Sequence, residues 1–162
     1  MSYLDELKQA YDYELSQYKW DTFITITFRY PQTTKSATHK ARKYLYQLRK
    51  QYSKYLLFAG RIFTIHHHDS NNPHCHILLT SDPTYKPNSS MLRLPVRVLE
   101  TQWKYGTIKV KTIEEVGDQH IWIKYILNPR NLNLFNSDRW EESDFRHPKD
   151  LLRILYRQQG IR

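Results

Sequence analysis

Two apolar, β-branched runs flank a short turn, and no other feature constrains the fold of this chain as strongly. Arg61-Ile62-Phe63-Thr64-Ile65-His66 is followed by Asp69-Ser70-Asn71-Asn72-Pro73, and then at once by His74-Cys75-His76-Ile77-Leu78-Leu79-Thr80. Turn residues between two strand-forming runs predict an antiparallel hairpin. Tyr55-Leu56-Leu57-Phe58 extends the first arm upstream, with a break expected at Gly60. An earlier strand is predicted over Phe23-Ile24-Thr25-Ile26-Thr27-Phe28, closed by Tyr30-Pro31. Between it and the hairpin, residues 34–55 carry Ala37, Ala41, Tyr44, Leu45, Leu48 and Tyr52 on a 3.6-residue stripe, which predicts a helix. A second helix is predicted from near Pro95 to Trp103, with Val96, Leu99 and Trp103 inward. Residues 107–113 alternate as a half-buried strand, and Asp118 to Leu127 reads as a short helix ending before Pro129. Strand–helix–strand–strand–helix–strand is the split βαβ order: an α+β, ferredoxin-like fold on an antiparallel sheet. A further helix is expected over residues 148–157, with Leu151, Leu152, Ile154 and Leu155 packing inward.

Nothing in the chain marks a domain boundary, and 162 residues suit one domain, taken as 1–162 with a core near 20–130. Lys and Arg exceed Asp and Glu by 25 to 16, a net charge of +9 and a pI near 9.6. With 14% aromatic residues, 13 of them Tyr, this balance favours a nucleic-acid partner over a membrane surface. No apolar run approaches the ~20 residues of a membrane span, and MSYLDELKQA lacks the basic-then-apolar order of a signal peptide. One Cys excludes a disulfide framework and a Cys-based zinc module, so a reducing, cytoplasmic setting is expected. No Gly-rich run precedes a Lys-Ser or Lys-Thr pair, which excludes a phosphate-cradling nucleotide loop.

The chemistry concentrates in the hairpin. In a strand, residues i and i+2 share a face, so His74 and His76 project together while Cys75 points the other way. His66 or His68 on the preceding arm can complete a three-histidine site for a divalent ion with open positions for substrate oxygen. A polar surface hairpin is the plain alternative. Five histidines within residues 66–76, divided between two paired arms, weigh against it.

With these residues in view, the chain resembles the HUH endonucleases: rolling-circle replication initiators, relaxases and single-tyrosine transposases. The resemblance rests on Phe23 to Phe28, on His74-Cys75-His76-Ile77-Leu78-Leu79, and on Ile121-Trp122-Ile123-Lys124-Tyr125-Ile126-Leu127-Asn128, in that order across about residues 20–130. Trp103-Lys104-Tyr105-Gly106-Thr107-Ile108-Lys109-Val110 is similar to the link between the last two signatures in the initiators. The resemblance implies metal-dependent, sequence-specific nicking and rejoining of single-stranded DNA through a 5′-phosphotyrosine intermediate. Tyr125 is implied as nucleophile with Lys124 beside it. His66, His74 and His76 are implied as ligands of Mn²⁺ or Mg²⁺. Three departures stand out. His66 occupies the place of the usual carboxylate or amide, Asn128 replaces the usual Lys three residues after the Tyr, and Ile121 leaves a single tyrosine in the helix.

DNA contacts are expected from Arg42, Arg49 and Lys50 on the 34–55 helix and from Arg61, Arg93, Arg97, Lys109 and Lys111. Trp20, Tyr30 and Tyr105 are candidates to stack on unpaired bases, whereas Trp103 and Phe63 read as core. The expected partners are single-stranded or hairpin origin DNA and, with no motor in the chain, a host helicase and polymerase. A monomer is favoured. Three other readings compete: a single-tyrosine transposase of the same superfamily, a non-catalytic nucleic-acid-binding module, and a zinc hydrolase using the histidine cluster.

Overall fold

The computed structural model describes residues 2–16, 18–52, 59–65, 72–80, 94–128 and 140–141, with the side chains of 4, 49, 52, 59, 140 and 141 left aside. Its centre is an antiparallel sheet of β1 (Thr22–Ile26), β2 (Ala59–Ile65), β3 (His74–Thr80), β4 (Ile108–Thr112) and the two-residue β5 (Trp140–Glu141), in the order β4-β1-β3-β2-β5. The first four strands have the ferredoxin-like arrangement, and every pairing is antiparallel. Five helices complete the described elements: α1 (Tyr3–Ser16), α2 (Thr34–Tyr52), α3 (Val96–Gln102), α4 (Ile113–Val116) and α5 (Gln119–Ile126).

Each sheet face buries its own core. On one side Ile24, Ile26, Ile62, Cys75, Ile77 and Leu79 meet α2 through Ala37, Ala41, Tyr44, Leu45 and Leu48. Alanines one turn apart let the helix backbone approach the sheet, and Leu99 and Trp103 extend the same layer. On the other side Phe23, Phe63, Ile65 and Leu78 lie under Leu15 at the end of α1 and under Trp122, Ile123 and Ile126 of α5. The register explains the division. Side chains alternate along each strand, so Phe23 and Thr25 share a face with His76 and Leu78, while Ile24 and Ile26 face α2.

Several expectations need adjustment. The hairpin, the antiparallel sheet and helices α2, α3 and α5 lie where the pattern predicts them. Gly60 continues β2 rather than breaking it, paired with Leu79, and the close fit calls for glycine: a side chain there would come within 2.7 Å of Leu79 Cδ2 and 3.2 Å of the Leu78 carbonyl oxygen. Helix α1 and the single turn α4 are additions that the sequence pattern does not predict. Trp20 is 3% exposed and donates its indole N–H to the Leu15 carbonyl at 2.9 Å, so it packs in the core instead of offering a stacking surface. Trp103 and Phe63 are buried as expected. Residues 55–58 and the helix expected over 148–157 lie outside the described residues.

Candidate active site

Strand β3 carries His74 and His76 toward the face that α5 partly covers. Their ring centroids are 4.8 Å apart at an interplanar angle of 80°. His76 is 2% exposed. Its ring stacks on Phe23 at 5.2 Å, and Phe23 in turn stacks on Trp122 at 5.7 Å. This run of rings holds the imidazole between β1 and α5. From the neighbouring strand Thr25 lies opposite His76 in register, and its Oγ1 is 3.0 Å from His76 Nδ1. For the imidazole to ligate an ion through Nε2, Nδ1 must carry the proton and donate it to Thr25 Oγ1, a geometry that this separation allows.

Helix α5 brings Tyr125 to the same place. Asp118 caps the helix by accepting from the His120 backbone N–H at 2.9 Å. Gln119 then fixes its position. The side-chain oxygen accepts from Trp20 N–H at 2.7 Å, and the side-chain amide donates to the Tyr18 carbonyl at 2.8 Å. One residue thus ties the start of α5 to the chain that enters β1. At the far end the ring of Tyr125 stands edge-on to His76, 5.3 Å between centroids, and 6.3 Å from Phe23. Tyr125 remains 55% exposed, so its ring touches the histidine while much of the residue is open to solvent.

The remaining sequence candidates divide by sheet face. Lys109 lies opposite Thr25 and Lys111 opposite Phe23, so both exposed lysines project on the side of the histidines. Lys124 is exposed too, but it does not line the groove between β4 and α5 that Tyr125 borders. Arg42 and Lys50 belong to α2, which covers the opposite face of the sheet, and the structure does not bring them to the histidines. Arg49 lies on the same helix. Arg61 forms an ion pair with Glu14 of α1 at 2.6 Å. Arg97 is exposed on α3, and Arg93 lies outside the described residues. Tyr30 and Tyr105 are exposed, and Lys40 Nζ sits 5.0 Å from the centroid of the Tyr105 ring.

Among the described residues, no group of three or more His, Cys, Asp or Glu is placed to hold a metal. His66 and His68, the candidates for a third ligand, lie outside them. The described part of β2 ends at Ile65 opposite His74, and in this strand the odd-numbered Phe63 and Ile65 share the histidine face. Two imidazoles on one face suit a divalent transition ion better than an all-oxygen site would.

The link preceding β4 is pinned to the end of β1. Trp103 Nε1 donates to the Thr27 carbonyl at 3.2 Å, and Arg29 N–H donates to the Tyr105 carbonyl at 2.8 Å. Gly106 crosses Thr27 so closely that an added Cβ would overlap the Thr27 carbonyl.

The stretch of chain that forms this sheet, histidine strand and tyrosine helix also matches a family model. The model of the replication-associated protein ORF2 family matches residues 21–129, most of the chain. The chain belongs to this family. The match begins just before β1 and ends just after α5, so it takes in Thr25, His74, His76 and Tyr125. Comparisons with curated proteins and with solved structures find no match. Membership in the ORF2 family makes this a replication-associated protein. No helix among the described residues is long and apolar enough to cross a membrane.

Sequence reading puts Phe23 in the first strand without a role at the histidines, and it passes over Gln119. The signal for Phe23 is its parity with Thr25, which sets it on the histidine face. Nothing in the local pattern distinguishes Gln119, because both of its partners are about a hundred residues away.

Proposed function

We propose that this protein initiates replication by nicking one strand of single-stranded or hairpin DNA and later rejoining it, with Tyr125 as nucleophile. The observation that carries the reading is the edge-on contact of Tyr125 with His76, itself paired with His74 on one face. The tyrosine hydroxyl attacks the phosphorus of a phosphodiester. A tyrosine O–P bond forms, the P–O3′ bond breaks, and the proton lost by the phenol is balanced by the one gained at the departing 3′-hydroxyl. Because the phosphotyrosine is still a phosphodiester, attack by a 3′-hydroxyl reverses the step and joins strands. A phenol, with an ordinary pKa of about 10, needs electrostatic help to attack at neutral pH, and Lys109 and Lys111 supply positive charge on this face.

His74 and His76, with a third donor from the histidine run 66–68 that follows β2, would hold the divalent ion, Mn²⁺ in preference to Mg²⁺ because the donors are imidazoles. When bound, such an ion acts as a Lewis acid toward a phosphate oxygen. The chain's own part is positional. Thr25 and Phe23 fix the His76 ring, and Gln119 sets the distance of α5 from the sheet.

The test is to incubate the protein with Mn²⁺ and a random-sequence pool of single-stranded oligonucleotides, then look for adducts that survive heat and detergent. Wild-type protein should form them, whereas His76→Ala protein and chelator-treated protein should not. Equal adduct yield in all three would overturn the metal-dependent reading.

A further inference from the structure

Tyr125 has two neighbourhoods on its side of the sheet. One is the histidine pair. The other is the open groove between β4 and α5, with a volume of about 320 Å³, within the range of sites that hold small ligands. We propose that this groove seats the base of one nucleotide flanking the phosphate that Tyr125 attacks, and so helps to choose where the strand is cut. The inference rests on the strand-nicking reading above and adds a specificity site to it.

Position comes first. The groove shares Phe23, Thr25 and Tyr125 with the histidine site, so a strand whose phosphate lies between Tyr125 and His76 has an adjoining nucleotide at the groove mouth. Its walls suit a base. Phe23, Val116, Ile121 and the Tyr125 ring form an apolar lining, of which Ile121 and Tyr125 are each 55% exposed and so open to a ligand. Charge then orients the ligand. Lys109 and Lys111 stand along one side on β4 and attract the sugar-phosphate chain, while Glu115 on the rim repels it. A cationic flank beside an apolar slot is the combination that single-stranded nucleic acid exploits, with phosphate on the lysines and the base face against rings and aliphatic carbons.

The experiment measures binding, not cutting. Tyr125→Phe protein without metal is titrated with fluorescein-labelled random-sequence 12-mers and with abasic strands of equal length. The base-bearing strand should bind more tightly. Val116→Glu, which puts a charge in the apolar groove, should shrink that preference about fivefold or more, the lower end of what one stacked base contributes. Ile121→Glu puts the same charge at an exposed position and serves as the variant least able to disturb the fold. Lys109→Ala/Lys111→Ala should reduce the magnitude of the log–log salt slope by about 1.4 for two lost phosphate contacts. An undiminished base preference in Ile121→Glu protein, or an unchanged salt slope in the double variant, would overturn the proposal. Failure here leaves the adduct experiment untouched, and failure of the adduct experiment leaves this one interpretable.

Discussion

Replacing Thr25 by Val removes one oxygen and leaves the side chain nearly the same size. In the structure that oxygen is 3.0 Å from His76 Nδ1, and His76 is almost completely buried. Two effects follow. The histidine loses a net hydrogen bond worth about 1 kcal/mol, with a further penalty for a polar nitrogen left without that oxygen in an apolar setting. Its ring also loses the acceptor to which Nδ1 would donate its proton when Nε2 ligates an ion. Changes to a partner of a ligating histidine weaken metal binding by roughly 10–100-fold, or about 1.4–2.7 kcal/mol. The assay is titration with Mn²⁺, followed by the spin-resonance signal of the free ion. Thr25→Val protein should bind Mn²⁺ at least tenfold more weakly than wild type, while Thr25→Ser, which keeps the hydroxyl, should stay within about threefold. Wild-type affinity in Thr25→Val protein would refute the reasoning, because the hydrogen bond would then have no part in preparing the ligand.

Three further outcomes are expected. Gln119→Leu leaves Trp20 N–H and the Tyr18 carbonyl without their partner, which should cost about 1–3 kcal/mol in chemical denaturation and slow adduct formation without abolishing it. Gly106→Ala forces a methyl group into the Thr27 backbone and should destabilise by about 3 kcal/mol, read as a lower denaturation midpoint, because the obstacle is main chain and not a movable side chain. Burial pushes the Cys75 thiol from 9.0 up to about 12, so the folded protein should resist alkylation at pH 8 and react fully once unfolded. Between those values the unfolded chain ionises its thiol and the folded one does not, so this group makes stability fall as pH rises above 9.

Periodicity makes the skeleton legible. The run His74 to Thr80 alternates between two faces that are both needed, one for the histidines and one for Cys75, Ile77 and Leu79, and the strand occupies those residues. Helix α2 is equally plain, since its stripe from Ala37 to Leu48 has nothing to compete with it. Helix α1 is harder. Its inner residues Leu7, Tyr11 and Leu15 fall one turn apart, but tyrosines at 3 and 13 face solvent and blur the stripe. The site is half legible. Two histidines on one face follow from strand geometry, but their distance from Tyr125 depends on how α5 lies across the sheet. The Gln119 hydrogen bonds and the packing of Trp122, Ile123 and Ile126 on the sheet set that together, and local sequence does not reveal it. The placement of the basic residues is hidden for a related reason. Arg42 and Lys50 sit on a strongly basic helix, but composition does not say which face of the sheet a helix covers, and α2 covers the one away from the histidines.

The central claim is that Tyr125 forms a bond to DNA beside the histidine pair. The most direct measurement is peptide mass spectrometry of adducts recovered from the Mn²⁺ reaction with the oligonucleotide pool, run in parallel on Tyr125→Phe protein. The account predicts a nucleotide mass on the peptide containing Tyr125 and no adduct from the variant, whose melting temperature and metal affinity stay near wild type. An adduct mapped to another tyrosine, or full adduct yield from Tyr125→Phe protein, would contradict it.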